Sequence, residues 1–258
     1  MNITKYVCVD WKALVDVIDA LGGLDLDLTK EEVHWVNGYI TETANSIGYP
    51  CDALKGEGRV HLNGVQAVSY SRIRYTSGDD FLRASRQRIV LQAILEKCKG
   101  EDIATLTSMC SSMMDDISTN FTVKEILSLA KNVTKYQISS TTGFPYNVAT
   151  KKLSGVGDTV IPIDLATDVV QLHKYLFEDE SYTVSDTVQS ISDTVQKKTD
   201  VDSKTDIYDT TKYNNTAGST GTEGAKKKNK DAQDALKKSQ SESENDSTTK
   251  SSSDDLDD

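Results

Sequence analysis

Five arginines and a carboxylate stand within a few helical turns of one another in Tyr70-Ser71-Arg72-Ile73-Arg74 and, after a short linker, in Asp80-Phe81-Leu82-Arg83 and Arg86-Gln87-Arg88. Arginine keeps its charge at any biological pH and offers a planar fork of donors that matches two oxygens of a phosphate or carboxylate at once. In a chain of formal net charge −11, such a nest reads as a local anion site. Asp80, Arg83 and Gln87 fall at i, i+3 and i+7, one face of a helix that Asp80 would cap. Leu91, Ile94 and Cys98 continue that face, so the stripe runs from a charged mouth to an apolar end and suits a ligand with an anionic head and an apolar tail. Arg72 and Arg74, two apart, converge only if the helix that starts after Asn63 loosens near Arg72. The competing reading makes these arginines solvated surface charges with a supporting Asp.

The elements that must hold this stretch are legible around it. Tyr6 to Val9 is apolar on both faces and reads as a buried strand. Asp10 caps a helix with Leu14, Val17, Ile18 and Leu21 on one stripe, ended by Gly22. Leu24, Leu26 and Leu28 alternate with Asp25 and Asp27, the pattern of a strand with one wet face. Thr29-Lys30-Glu31-Glu32 is a capping box that starts a helix running toward Ser46, and 48–58 reads as a loop. The Asp80 helix should reach about Lys99, with a further helix at 103–116 and a capped one opening at Thr122-Val123-Lys124-Glu125. Strands are expected at 137–142 and around Val160, before a last helix capped by Asp164. His61 reads as a structural histidine, and Cys8 and Cys98 as buried thiols, with a Cys98 to Cys110 disulfide as the alternative.

The ordered series Asp10-Trp11-Lys12-Ala13-Leu14-Val15-Asp16, Ala20-Leu21-Gly22-Gly23-Leu24-Asp25-Leu26, Leu62-Asn63-Gly64-Val65-Gln66-Ala67, Tyr70-Ser71-Arg72-Ile73-Arg74, Asp80-Phe81-Leu82-Arg83 and Arg86-Gln87 resembles the LytR-CpsA-Psr family. The resemblance implies a phosphotransferase that takes a glycopolymer of teichoic acid or capsule type from a polyprenyl pyrophosphate. It joins that polymer to peptidoglycan, through a phosphodiester, outside the membrane. It further implies that magnesium assists, that arginines hold the pyrophosphate, and that the lipid tail lies in an apolar tunnel. Carried over residue by residue, Arg72, Arg74, Asp80, Arg83 and Gln87 match the family's second phosphate-binding motif, and Arg86, Leu91 and Ile94 join them as substrate contacts. Leu82 stands where the family more often has Gly, which would tighten the mouth. Asp80 is read as orienting an arginine and not as a base, because an ion pair with Arg83 or Arg74 keeps its pKa low.

Strand, helix and strand in this order from Tyr6 to Leu28 point to an α/β sandwich, and the expected architecture is an α/β/α sandwich with a mixed central sheet. Residues 1–180 are read as the C-terminal portion of the family domain, with its first strands, its membrane anchor and the acids that hold magnesium expected upstream of Met1. No metal ligands are assigned within the chain. The acidic balance argues against a nucleic-acid partner, which requires a broad basic field. No apolar run approaches the roughly 20 residues that span a bilayer. Ser185-Asp186-Thr187-Val188-Gln189 recurs seven residues on, and 181–196 reads as a short amphipathic helix. From 197 to 258 the composition is Ser, Thr, Lys, Asp and Gly, expected to form a disordered tail. Two functions compete: the transferase, or a non-catalytic, regulatory binder of polyprenyl phosphates.

Overall fold

The structure is a computed structural model that describes residues 3–74, 79–202, 205 and 208–209, the side chains of 79, 80, 115, 208 and 209 excepted. The chain is mixed α/β and divides into two compact units, one up to Ser139 and one from Ser140 to Asn214.

The first unit opens with β1 (Val7–Val9), α1 (Trp11–Ala20), β2 (Leu24–Leu28), α2 (Lys30–Ile47), β3 (Gly58–Leu62) and α3 (Gly64–Arg72). It continues with α4 (Asp79–Gly100), α5 (Ile103–Ser112), a 3-10 turn at Met114–Asp116, β4 (Ile117–Thr119) and α6 (Val123–Lys131). Side chains start α1, α2, α3 and α6 as their sequences predict, whereas α4 begins at Asp79 and takes Asp80, its expected cap, inside the helix. Asp10 accepts from the Ala13 amide at 2.8 Å, and reciprocal capping boxes close at Thr29 with Glu32, Asn63 with Gln66, and Thr122 with Glu125. Each box satisfies amides that a helix N-terminus leaves without partners.

β2 alternates as expected. Leu24, Leu26 and Leu28 are buried, and with Val15, Ile18, Val36, Leu62, Val68 and Ile73 they form the core of the unit. β3 pairs with β2 antiparallel, and the outer face of the hairpin carries charged rungs, Asp25 opposite His61 and Asp27 opposite Arg59. His61 Nδ1 lies 2.9 Å from Asp25 Oδ1, the structural role expected of it.

The expected single mixed central sheet is not what the described strands form. They make three small antiparallel sheets, β1–β4, β2–β3 and one in the second unit. A central strand covered on both sides is apolar on both faces; β2 and β3 keep one charged face, and among the described strands they pair with each other. β1 corrects the sequence reading in the opposite direction. It is apolar on both faces yet exposed, with Val7 at 58% and Val9 at 49%, since its only described strand neighbour is β4. Cys8 is accordingly exposed and not buried.

The second unit contains β5 (Asn147–Leu153), β6 (Gly157–Pro162), α7 (Leu165–Phe177), α8 (Asp186–Thr199) and β7 (Tyr208–Asp209), in the sheet order β6–β5–β7. The strand expected at 137–142 forms at β5 instead, where Val148 and Ala149 supply the buried side chains that the polar 137–142 stretch lacks. Asp164 caps α7 as expected. The helix expected at 181–196 is α8. Ordered structure also runs past residue 196: α8 continues to Thr199, Val201 is 1% exposed in the core of the unit, and β7 pairs with β5. The remainder of the expected tail, from 210 onward, lies outside the described residues.

Candidate functional site

α3 carries the first arginine of the cluster, and its position follows from close packing. Asn63 caps the helix, and Gly64 brings it so near α1 that a Cβ there would meet the Val15 carbonyl oxygen. Every residue from Gly64 to Ser71 is buried. The helix stops at Arg72 because Ile73 turns extended (φ −56°, ψ 124°) and inserts into the core with no exposed surface. The loosening that Arg72 and Arg74 need in order to converge is thus present. They flank one buried anchor, with Arg74 exposed.

The Arg72 guanidinium is held on several sides. Nη1 donates to Thr43 Oγ1 at 2.8 Å and Nη2 to Glu42 Oε1 at 2.8 Å. Its carbon lies 3.8 Å from the centroid of the Trp11 ring and 5.2 Å from that of Tyr39, cation–π contacts that hold it near α1 and α2.

Arg86 departs from its expected place at the mouth. It is 4% exposed, and its Nε donates to Oε1 of Glu32, itself 3% exposed, at 3.1 Å. Its Nη1 reaches the Ile73 carbonyl at 3.4 Å, and its guanidinium lies 5.9 Å from the ring centroid of buried Tyr70. Burial and the Glu32 charge push the Tyr70 hydroxyl far above its usual pKa, with Arg86 opposing them. Arg86 is therefore a core ion pair that ties α4 to the turn between Arg72 and Arg74, and a substrate would not reach it there.

Along α4 the predicted stripe is distributed unevenly. Arg83 is partly buried, Gln87 and Leu91 are exposed, and Ile94 packs on the core of the first unit. The buried face is a different one, through Leu82, Ser85, Arg86 and Val90. The Asp80 side chain lies outside the described residues. At the far end, Cys98 lines an apolar cavity of about 370 Å³ together with Val7, Val17, Leu106, Met113 and Ile126. Cys98 and Cys110 both line it as free thiols, pushed up in pKa by burial. Among the described residues no three His, Cys, Asp or Glu side chains converge as metal ligands would.

Sequence reasoning missed Glu32, Glu42 and Thr43 as partners of the arginines. One signal was available. Glu32 and Thr43 fall on the helical period of Val36 and Ile40, so two polar groups sit on the core-facing stripe of α2, where each needs a partner.

The LytR_cpsA_psr family matches residues 1–171. This chain belongs to that family. Among curated LytR_cpsA_psr relatives, a polyisoprenyl-teichoic acid–peptidoglycan teichoic acid transferase TagU of Bacillus mycoides is 31% identical over 134 residues, 50% of this chain and 38% of the relative. The TagV transferase of Bacillus subtilis is 28% identical over 129 residues, 49% of this chain and 31% of the relative. The chain thus spans well under half the length of the curated relatives it matches. A solved structure described as a transcriptional regulator from Enterococcus faecalis superposes with a TM-score of 0.50 at 15% identity, over 77% of this chain and 67% of the other, a likeness of fold alone. The crystal structure of B. subtilis TagV matches with a TM-score of 0.48 at 24% identity, covering 71% of this chain and 66% of the other.

Proposed function

We propose that this chain supplies the lipid-phosphate-binding part of an extracytoplasmic transferase. The enzyme would join a polyprenyl-pyrophosphate-linked glycopolymer, of teichoic acid or capsule type, to peptidoglycan through a phosphodiester. The observation that carries the reading is the Arg72-Ile73-Arg74 turn in a LytR_cpsA_psr chain: two cations flank one buried side chain, and the turn is tied to α4 through the Ile73 carbonyl. In phosphoryl transfer, positioning and charge stabilisation carry most of the catalysis. Arg72, Arg74 and Arg83 would hold the pyrophosphate oxygens, and exposed Gln87 would orient an oxygen or a water. At 1.5 Å per residue, Cys98 at the apolar cavity lies roughly 22 Å along α4 from Arg83. An extended prenyl chain is the kind of ligand that would link two such places.

Magnesium assistance belongs to the same proposal. Among the described residues no carboxylates converge to hold the ion.

Binding of a polyprenyl pyrophosphate tests the anion site. Arg72→Ala or Arg74→Ala should weaken it by about 1.5–3 kcal/mol, the range for charge-assisted bonds, and the Lys variants should recover only part because the bidentate fork is lost. Wild-type affinity in both Ala variants would remove the reading.

A further inference from the structure

The partners of Arg72 differ sharply in how firmly they are held. Thr43 is fully buried, and its hydroxyl is fixed by donating to the Tyr39 carbonyl at 2.9 Å and accepting from Ser69 at 3.1 Å. Trp11, at the start of α1, is itself 40% exposed, and its ring lies against the guanidinium at 3.8 Å. Glu42 stands on the solvent side of α2. Its side chain is 65% exposed, against 14% for Arg72, and among the described residues the Arg72 fork is its one polar partner. The buried Thr43 hydroxyl therefore orients the guanidinium from inside, the Trp11 ring supports it, and one carboxylate covers its outer N–H group from solvent.

We infer that Glu42 is a stand-in anion: it occupies, in the ligand-free protein, the Arg72 N–H position that a phosphate oxygen takes on binding. The inference rests on the anion-site reading above and adds to it a competitor built into the chain. An exposed carboxylate–guanidinium pair is held weakly. A phosphate dianion brings more charge and more acceptor oxygens than a carboxylate, so it displaces Glu42, while Thr43 and Trp11 keep the fork in place. The exchange breaks one hydrogen bond from Nη2 and makes another, and it moves no buried group. Its consequence is selectivity, because a weak monoanion gains too little to displace Glu42 and a pyrophosphate head gains enough.

The test uses the full chain and two probes that share the phosphate chemistry, inorganic pyrophosphate and farnesyl pyrophosphate, titrated by calorimetry at constant ionic strength. Glu42→Gln keeps the size of the side chain and removes its charge. Both probes should bind about fivefold more tightly to it, the factor that corresponds to about 1 kcal/mol for an exposed ion pair. Glu57→Gln removes an equal charge from an exposed loop position and should change neither affinity. Arg72→Ala and Arg72→Lys separate the two hypotheses. If both bind the probes as the wild type does, the anion site itself is lost. If they bind more weakly and Glu42→Gln gains nothing, or Glu57→Gln gains as much, the stand-in role is refuted and the anion site survives. A gain confined to farnesyl pyrophosphate would also overturn the inference, since it would place the effect of Glu42 on the tail.

Discussion

Arg86 and Glu32 show how burial reassigns residues that look alike in the sequence. Five arginines share one stretch, and nothing in their spacing singles out the one that turns inward. Glu32 draws Arg86 in, because one carboxylate oxygen is spent on the Thr29 cap and the other faces the core at the Arg86 Nε. A buried ion pair is costly to break, since the remaining charge is left uncompensated. Arg86→Met should therefore lower stability by about 3–5 kcal/mol in denaturant unfolding, far beyond the fraction of a kcal/mol expected for an exposed Arg. A loss under 1 kcal/mol would mean that Glu32 finds another partner or water.

At the scale of elements, the helices are anchored by their caps and spaced by their smallest residues. Gly64 opens α3 against the backbone of α1 at Val15, and its φ is not in the left-handed region, so an alanine there meets a problem of space and not of conformation. Helix propensity alone would favour Gly64→Ala by up to about 1 kcal/mol. The contact with a backbone carbonyl cannot be relieved by a rotamer change, and overpacking of this kind costs about 1–3 kcal/mol. We expect a net loss of stability, together with weaker phosphate binding, because α3 carries Arg72. A melting temperature raised by the substitution would show that α1 and α3 separate freely. The Thr122 box has a further partner in Lys5, whose ammonium lies 2.8 Å from Glu125. That contact first, and the Thr122 cap second, hold the exposed Glu125 carboxyl at a pKa of about 2.

At the scale of the whole molecule, the second unit should respond to pH through one buried carboxyl group. In the second unit Asp168 is 2% exposed, and its Oδ2 makes no hydrogen bond among the described residues. Burial raises its pKa from 3.8 to about 6, against hydrogen bonds from the Tyr146 and Asn147 amides, and nearby Asp164 adds to the rise. A raised folded-state pKa means that the folded form holds the proton more tightly. The stabilisation is complete below pH 3.8 and is lost as pH rises through about 6. At about 1.4 kcal/mol per unit this amounts to something on the order of 3 kcal/mol. Thermal melts followed by a probe in the second unit should show less stability at pH 7 than at pH 5, and Asp168→Asn should flatten that slope. An unchanged slope would refute the assignment to Asp168.

Much of the local structure could be read from the chain itself, because it depends on residues a few positions apart. Asp10, Thr29, Asn63, Thr122 and Asp164 start the helices they were expected to start, and the β2 alternation predicts which of its faces is buried. The break at Arg72 was anticipated only as a condition for convergence. What ends the helix is Ile73 seated in a core assembled from several elements. The resemblance named the family and its arginines, but it could not rank them. Arg72 meets Glu42 across 30 positions and Arg86 meets Glu32 across 54. Such pairs form only when helices from distant parts of the chain pack side by side, so tertiary structure decided which arginine faces solvent and which is buried. The exposure of β1 has the same origin, since an apolar strand is buried only where neighbouring elements cover both its faces.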